Sequence, residues 1–196
     1  MVAGAQIRSE GGWGRLLAAV IVGGAAGPAM DLVAHPALLH FSREWEMGGI
    51  PFMIAQFFYT PVLAGLTAGF LAPHRPYVAA VLAQAVAAAW AAAASALDWW
   101  RPQLWGVAGM PLGIPLALWA ALVVDPRAAA RRPALGWMQD LSYVLAYLHT
   151  VFATLPVPLR WLPSPFGSLI GWAAPAVFFL HVARRNRRAR GLAAHT

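Results

Sequence analysis

The sequence lacks two of the residues on which many active sites depend. Its 196 residues include no cysteine, which excludes disulfides, thiolate metal ligands, iron-sulfur ligation and a cysteine nucleophile. They include no lysine either, since all 14 basic residues are arginine. Schiff-base chemistry of the retinal or pyridoxal kind is therefore excluded, as is the lysine of a phosphate-binding loop.

Charge is scarce as well. Charged residues make up 11% of the chain and hydrophobic residues 60%, against roughly 25% and 45 to 50% in ordinary soluble domains. This composition excludes a water-soluble enzyme. At about 20 residues per membrane span, the chain is long enough to cross a bilayer several times. We therefore predict a single all-α domain, a polytopic helical bundle in a membrane.

Apolar runs separated by polar residues indicate about six transmembrane helices. A short interfacial helix is predicted after the first span, with Pro36 in its first turn. The predicted spans cover residues 16–34, 51–71, 77–97, 104–124, 137–155 and 165–182.

The arginines orient this bundle. With the N-terminus inside, 11 of the 14 arginines fall on inner segments and only Arg43, Arg101 and Arg160 fall outside. The positive-inside rule expects this bias, so we predict that both termini are cytoplasmic, in a bacterial inner membrane. The net charge of +7 then needs no nucleic-acid partner. A cleaved signal peptide at the first span is disfavoured, because no small-residue cleavage motif follows it.

The C-terminal segment, residues 184–196, is predicted to be a basic cytoplasmic tail. It holds five arginines within seven residues, at 184–190. Such a cluster next to a span attracts anionic lipid, so the bilayer and its anionic headgroups are the expected partners of this segment.

Ionisable residues within spans are costly and therefore informative. Most histidines and carboxylates in or beside the spans fall in the predicted outer half, which indicates a site open to the outer face. Asp31 and His35 lie four residues apart and so share one helix face. A carboxylate beside an imidazole suits a metal ligand, a haem ligand or a proton relay; the alternative is an ion pair that neutralises itself as the helix leaves the membrane.

A second histidine and carboxylate follow in the predicted interfacial helix. His40 and Glu44 are again four residues apart, although charges at an interface are also explained by a solvated face. Nitrogen and oxygen ligands of this kind suit zinc or copper. The predicted metal ligands are Asp31, His35, His40 and Glu44.

His149 is the deepest histidine and lies in the fifth predicted span. If it converges with His35, the two could ligate haem or share one metal. The alternative is a histidine that is simply hydrogen-bonded in the core. The remaining acids have structural explanations: Asp125 before Pro126 indicates a helix stop, and Asp140 suits a helix N-terminus.

These patterns leave three functions open. The first is a membrane protein with an outward-facing histidine and carboxylate site that binds a metal, haem or quinone in a redox or metal-handling role. The second is a non-catalytic structural or assembly subunit of a larger membrane complex, with other membrane subunits as partners. The third is a small transporter or channel, because glycine and proline interrupt the first and fourth spans at corresponding positions. Whether the chain is an enzyme is not decided by the sequence.

Overall fold

The computed structural model describes residues 12–30, 58–96, 104–131, 136–154, 162–163 and 165–193. Within these ranges there are seven helices and no strand, so the predicted all-α class is confirmed. The helices are α1 (Gly12–Met30), α2 (Thr60–Leu71), α3 (Pro76–Ala96), α4 (Leu104–Val124), α5 (Pro126–Arg131), α6 (Gly136–Thr154) and α7 (Phe166–Ala193).

Three of these helices, α1, α3 and α7, are long and apolar enough to cross a membrane. The apolar helices α2 and Gly113–Val124 of α4 are shorter, and α6 carries Gln139, Asp140 and His149. The membrane-spanning character of the chain is thus supported by its helices, whereas the number six stays a prediction. The predicted interfacial helix lies outside the described residues.

The fourth and sixth predicted spans differ in how well their ends agree with the helices. Helix α4 begins and ends where the sequence predicts, and Asp125 with Pro126 explains its end. Helix α7, in contrast, continues beyond the predicted end at Val182 through Ala193. Arginine is a good helix former, and the run of arginines contains no residue that would break the helix.

Alanine makes up much of the bundle's interior, beside a core cluster of larger side chains that includes Leu66, Tyr143 and Phe179, and large apolar side chains also cover the outside. Ala64, Ala68, Ala117 and Ala121 are completely buried. Large apolar side chains are exposed on every long helix, and they include Trp13, Leu82, Trp90, Phe152 and Leu169. This distribution fits a lipid environment, where large apolar side chains can face outward and small ones allow helix backbones to approach each other.

Helix α1 packs in the groove between α2 and α3. A Cβ atom placed on Gly23 would lie 2.8 Å from the Cβ of Ala68 in α2. One placed on Gly24 would lie 3.0 Å from the carbonyl oxygen of Ala83 in α3. The glycines of α1 thus allow it to pack closely against both neighbouring helices.

The tightest contact joins α2 to α4. Gly65 faces the backbone of Ala117, and an added Cβ would lie only 2.7 Å from the Ala117 Cα. One turn further, a Cβ on Gly69 would lie 3.0 Å from the Ala121 Cα. Gly65 and Gly69 thus meet Ala117 and Ala121 as two matched small-residue pairs.

The glycine and proline residues that suggested interrupted helices lie inside continuous ones. Helix α1 runs through Gly23 to Pro28 without a break, and α4 runs through Gly109 to Pro115. In α1 the glycines serve close packing. In α4, Gly113 leaves room for the Gln84 side chain of α3. The described helices therefore lack the broken segments typical of inverted-repeat transporters.

The α2–α4 contact can be tested with one methyl group. We expect Gly65→Ala to lower the free energy of unfolding by about 1 to 3 kcal/mol, because the new Cβ meets backbone that has no rotamer to change. The measurement is denaturant unfolding of the purified protein in detergent micelles. Gly191→Ala in α7 is the control, since no atom lies within 4 Å of the added Cβ. Equal stability of the two variants would contradict the close approach.

Candidate functional site

One of the predicted site residues, His149, lies in the described part of the chain. Asp31, His35, His40 and Glu44 lie outside the described residues. Their predicted convergence into a metal site, and that of His35 with His149, therefore stays a prediction. Within the described ranges, no group of three or more histidine, aspartate or glutamate side chains could hold a metal ion.

His149 lies in the last third of α6, half-buried, against the residues that precede α2. Its Nε2 atom is 3.0 Å from the carbonyl oxygen of Phe58. A carbonyl oxygen only accepts hydrogen bonds, so Nε2 must carry the proton, and in the neutral ring Nδ1 keeps its lone pair. The ring of Tyr59 meets the imidazole edge-on at 4.9 Å between centroids, which fixes the ring's orientation.

This geometry is compatible with both explanations that the sequence left open for His149. A hydrogen bond to a backbone carbonyl satisfies a core histidine. The same bond is also what metal-ligating histidines usually make through their second nitrogen. No described residue bonds to Nδ1, so a ligand or a proton could be received at that atom.

A second concentration of polar groups lies at the opposite ends of the helices. Asp125 stands between α4 and α5 and is 4% exposed. Its Oδ2 accepts a hydrogen bond from the Tyr77 hydroxyl at 2.9 Å, and its Oδ1 accepts one from the Arg127 backbone N–H at 2.9 Å. Asp125 is therefore the N-cap of α5, followed by proline at the first helical position. The predicted helix stop is confirmed, and the same residue starts the next helix.

Arg127 ties this junction to the turn between α2 and α3. Its Nη2 lies 3.1 Å from Nδ1 of His74, and its Nη1 donates to the His74 carbonyl oxygen at 3.4 Å. Because a guanidinium can only donate, Nδ1 of His74 acts as the acceptor. The start of α5 is thus held against the start of α3 by both Tyr77 and Arg127.

Helix α7 supplies donors to the end of α4. Asn186 is completely buried, and its Nδ2 donates to the Val123 carbonyl at 3.0 Å and to the Tyr143 hydroxyl at 2.9 Å. Arg185 donates through Nη2 to the Val124 carbonyl. The last carbonyl groups of any α-helix lack partners within the helix. Two residues of α7 therefore cap α4.

Arg185 and Asn186 keep some polar atoms without a partner. Nε of Arg185 and Oδ1 of Asn186 are buried and have no hydrogen-bond partner in the described part of the chain. The Arg185 guanidinium also lies 5.1 Å from the centre of the Phe70 ring, an arrangement that favours a cation. Arg185 and Asn186 thus cap α4 within a largely apolar environment.

Asp140 is joined to α7 as well. Its Oδ1 lies 3.1 Å from Nη2 of Arg190, and its Oδ2 lies 3.8 Å from Nη2 of Arg187. The Asp140 side chain is 45% exposed, so these ion pairs contribute modestly. A favourable position near a helix N-terminus therefore explains Asp140 only in part, because its carboxylate also pairs with arginines of α7.

This cluster lies at the predicted inner ends of the helices and is named the inner polar cluster. Its members are Tyr77, Asp125, Tyr143, Arg185 and Asn186, and the sequence predicts little of it. One feature of the sequence does indicate that α7 has a buried face beyond its apolar run. Residues at spacings of three and four continue that face: Phe179, Val182, Asn186 and Arg190. Charge alone makes residues 184–190 look like a solvated tail.

The capping role of Asn186 leads to a stability prediction. Asn186→Ala removes the donor of both the Val123 carbonyl and the Tyr143 hydroxyl, and it should lower the free energy of unfolding by about 1 to 3 kcal/mol. Arg188→Ala, two residues away on the exposed face of α7, should leave it nearly unchanged. Thermal unfolding in one detergent compares the two. A loss of the same size in both variants would argue against the cap.

Comparison with known proteins adds no assignment. No protein family, no curated protein and no solved structure matches this chain. The function is therefore inferred from the residues and their geometry.

Proposed function

We propose that the chain is an integral protein of a bacterial inner membrane that crosses it six times, with both termini in the cytoplasm. Three helices long and apolar enough to span, exposed apolar side chains and an alanine interior support a membrane location. The bias of arginine toward one side supports the orientation. The inner polar cluster then lies at the cytoplasmic end of the bundle and His149 lies toward the outer end.

The proposed function is the binding of a transition metal, haem or quinone at an outward-facing site, in a membrane redox or metal-handling role. The observation that carries it is the fixed ring of His149, with Nε2 bonded to the Phe58 carbonyl and Nδ1 left for a ligand. Histidines that bind metals are usually held in this way. Asp31, His35, His40 and Glu44 are the proposed partners of His149, because nitrogen and carboxylate oxygen ligands suit copper and zinc.

A non-catalytic subunit of a larger membrane complex is the second candidate. It is favoured by the large apolar side chains that the long helices expose, among them Trp90, Phe152 and Leu169. A neighbouring membrane subunit can cover such a surface. Purification under native conditions distinguishes this candidate, because a single monodisperse species without partners would argue against it.

The proposed topology can be tested with single cysteines, since the natural chain has none. We expect Gly12→Cys and Gly191→Cys to react with a membrane-impermeant thiol reagent only after the cells are opened. Leu162→Cys, in the connection before α7, should react in intact cells. All three positions are exposed. The side of the membrane, and not burial in the folded protein, should therefore decide whether each cysteine reacts. Labelling of Gly191→Cys in intact cells would contradict the orientation.

The proposed site can be tested by binding. Purified protein should bind Cu²⁺, Zn²⁺ or haem, measured by elemental analysis, by metal titration and by a Soret band. His149→Ala should weaken binding about tenfold or more. His181→Ala, an exposed histidine on α7, should bind like the natural protein. If the natural protein carries no metal and shows no Soret band, or if both variants bind equally, the proposed role of His149 is wrong.

A further inference from the structure

An open cavity of about 600 Å³ lies between the ends of α3, α4, α5 and α6. It is lined on one side by apolar groups, among them Trp119, Leu122 and Met138. Leu122 and Met138 are 46% and 48% exposed, so the apolar wall of the cavity continues onto the outer surface of the bundle. A molecule in this cavity can therefore extend along that surface.

The other side of the cavity is polar and carries one positive charge. Arg131, the last residue of α5, lines it together with Gln139 of α6 and Tyr77 of α3. Arg131 is exposed, and no carboxylate among the described residues pairs with it. The Tyr77 hydroxyl already donates to Asp125. The Ser142 hydroxyl, which also lines the cavity, donates to the Met138 carbonyl oxygen. On this polar side, Arg131 and the Gln139 amide are therefore the described side chains that can donate to a bound anion.

The carboxylate of Asp125 is the acidic group to compare with the positive charge of Arg131. It is 4% exposed and accepts hydrogen bonds from Tyr77 and from the Arg127 backbone. Its charge is therefore buried and satisfied beneath the cavity wall. Arg131 in contrast is open to the cavity, so the surface that a ligand meets is cationic next to an apolar wall.

We propose that this cavity binds an anionic phospholipid of the surrounding bilayer. The phosphate contacts Arg131 and Gln139, and an acyl chain lies along Leu122 and Met138. Basic pockets between helices at the cytoplasmic side of a membrane bind lipid headgroups in this manner. The apolar wall that opens onto the lipid-facing surface favours a lipid over a free phosphate, which would leave that wall uncovered.

This site is separate from the proposed site at His149 and from the arginine run of α7. Its assignment to the cytoplasmic leaflet rests on the proposed orientation of the bundle. Binding measured in detergent does not depend on that orientation. Failure of the topology experiment would therefore move the lipid to the other leaflet without removing it, whereas failure of the binding experiment below leaves the topology untouched.

The test is native mass spectrometry of delipidated protein with phosphatidylglycerol and phosphatidylcholine of identical acyl chains. The natural protein should retain one phosphatidylglycerol in preference to phosphatidylcholine. Arg131→Gln should weaken that binding about fivefold, as expected for one arginine near an anionic surface. Arg15→Gln, an exposed arginine of α1 that lies outside both the cavity and the arginine run, should bind like the natural protein. Thermal unfolding of each variant shows that it is folded.

A second measurement locates the lipid without any substitution. Phosphatidylglycerol with a photoreactive acyl chain should crosslink to the peptides that contain Leu122 or Met138. Crosslinks only elsewhere would overturn the proposal. So would equal retention of the two lipids, equal affinity of the two arginine variants, or displacement of the lipid by millimolar inorganic phosphate, which would indicate a site for free phosphate.

Discussion

The bundle depends on close contact between helix backbones. Two helices in a bilayer gain little by hiding apolar side chains from each other, because lipid tails are equally apolar. Stability must then come from van der Waals contact, which is greatest where no side chain stands between the helices. Gly65 against Ala117 is the closest such point, and Gly69 with Ala121 extends it by one turn. Two further helices pack against this pair. Helix α1 contacts α2 at Gly23, and α3 contacts α4 at Ala80.

The apolar surroundings also determine how the polar groups are arranged. A carbonyl that ends a helix beside apolar neighbours needs a donor, because unpaired polar groups there are costly. Asn186 and Arg185 provide donors for α4, and Asp125 provides the corresponding acceptor for α5. Together with the hydrogen bonds from Tyr77 to Asp125 and from Asn186 to Tyr143, these bonds join α3, α4, α5, α6 and α7 at one end of the bundle. At the other end, His149 provides a donor to the Phe58 carbonyl. The side chains of Asp125, His149, Arg185 and Asn186 thus each bond to at least one backbone group.

The sequence predicts local features well and distant contacts poorly. The helical class follows from the composition, and the C-terminal end of α4 follows from Asp125 and Pro126. The partners of Asn186 lie 43 and 63 residues away, and no periodicity in one helix reveals them. Charge alone places the arginines at the membrane surface and does not reveal that Arg185 caps α4. For His149, the sequence predicted a hydrogen-bonded or ligand-binding residue. The structure supplies the bond, and the predicted partners Asp31 and His35 lie outside the described residues.

The cap on α4 has a consequence for how the protein is made. The Val124 carbonyl and its donor Arg185 are 61 residues apart in the chain. At a synthesis rate of about 5 to 20 residues per second, the donor emerges roughly 3 to 12 seconds after its acceptor. During that interval the Val124 carbonyl must accept a hydrogen bond from water at the membrane surface or from an insertion chaperone. Helix α4 thus reaches its final environment only when α7 has been synthesised.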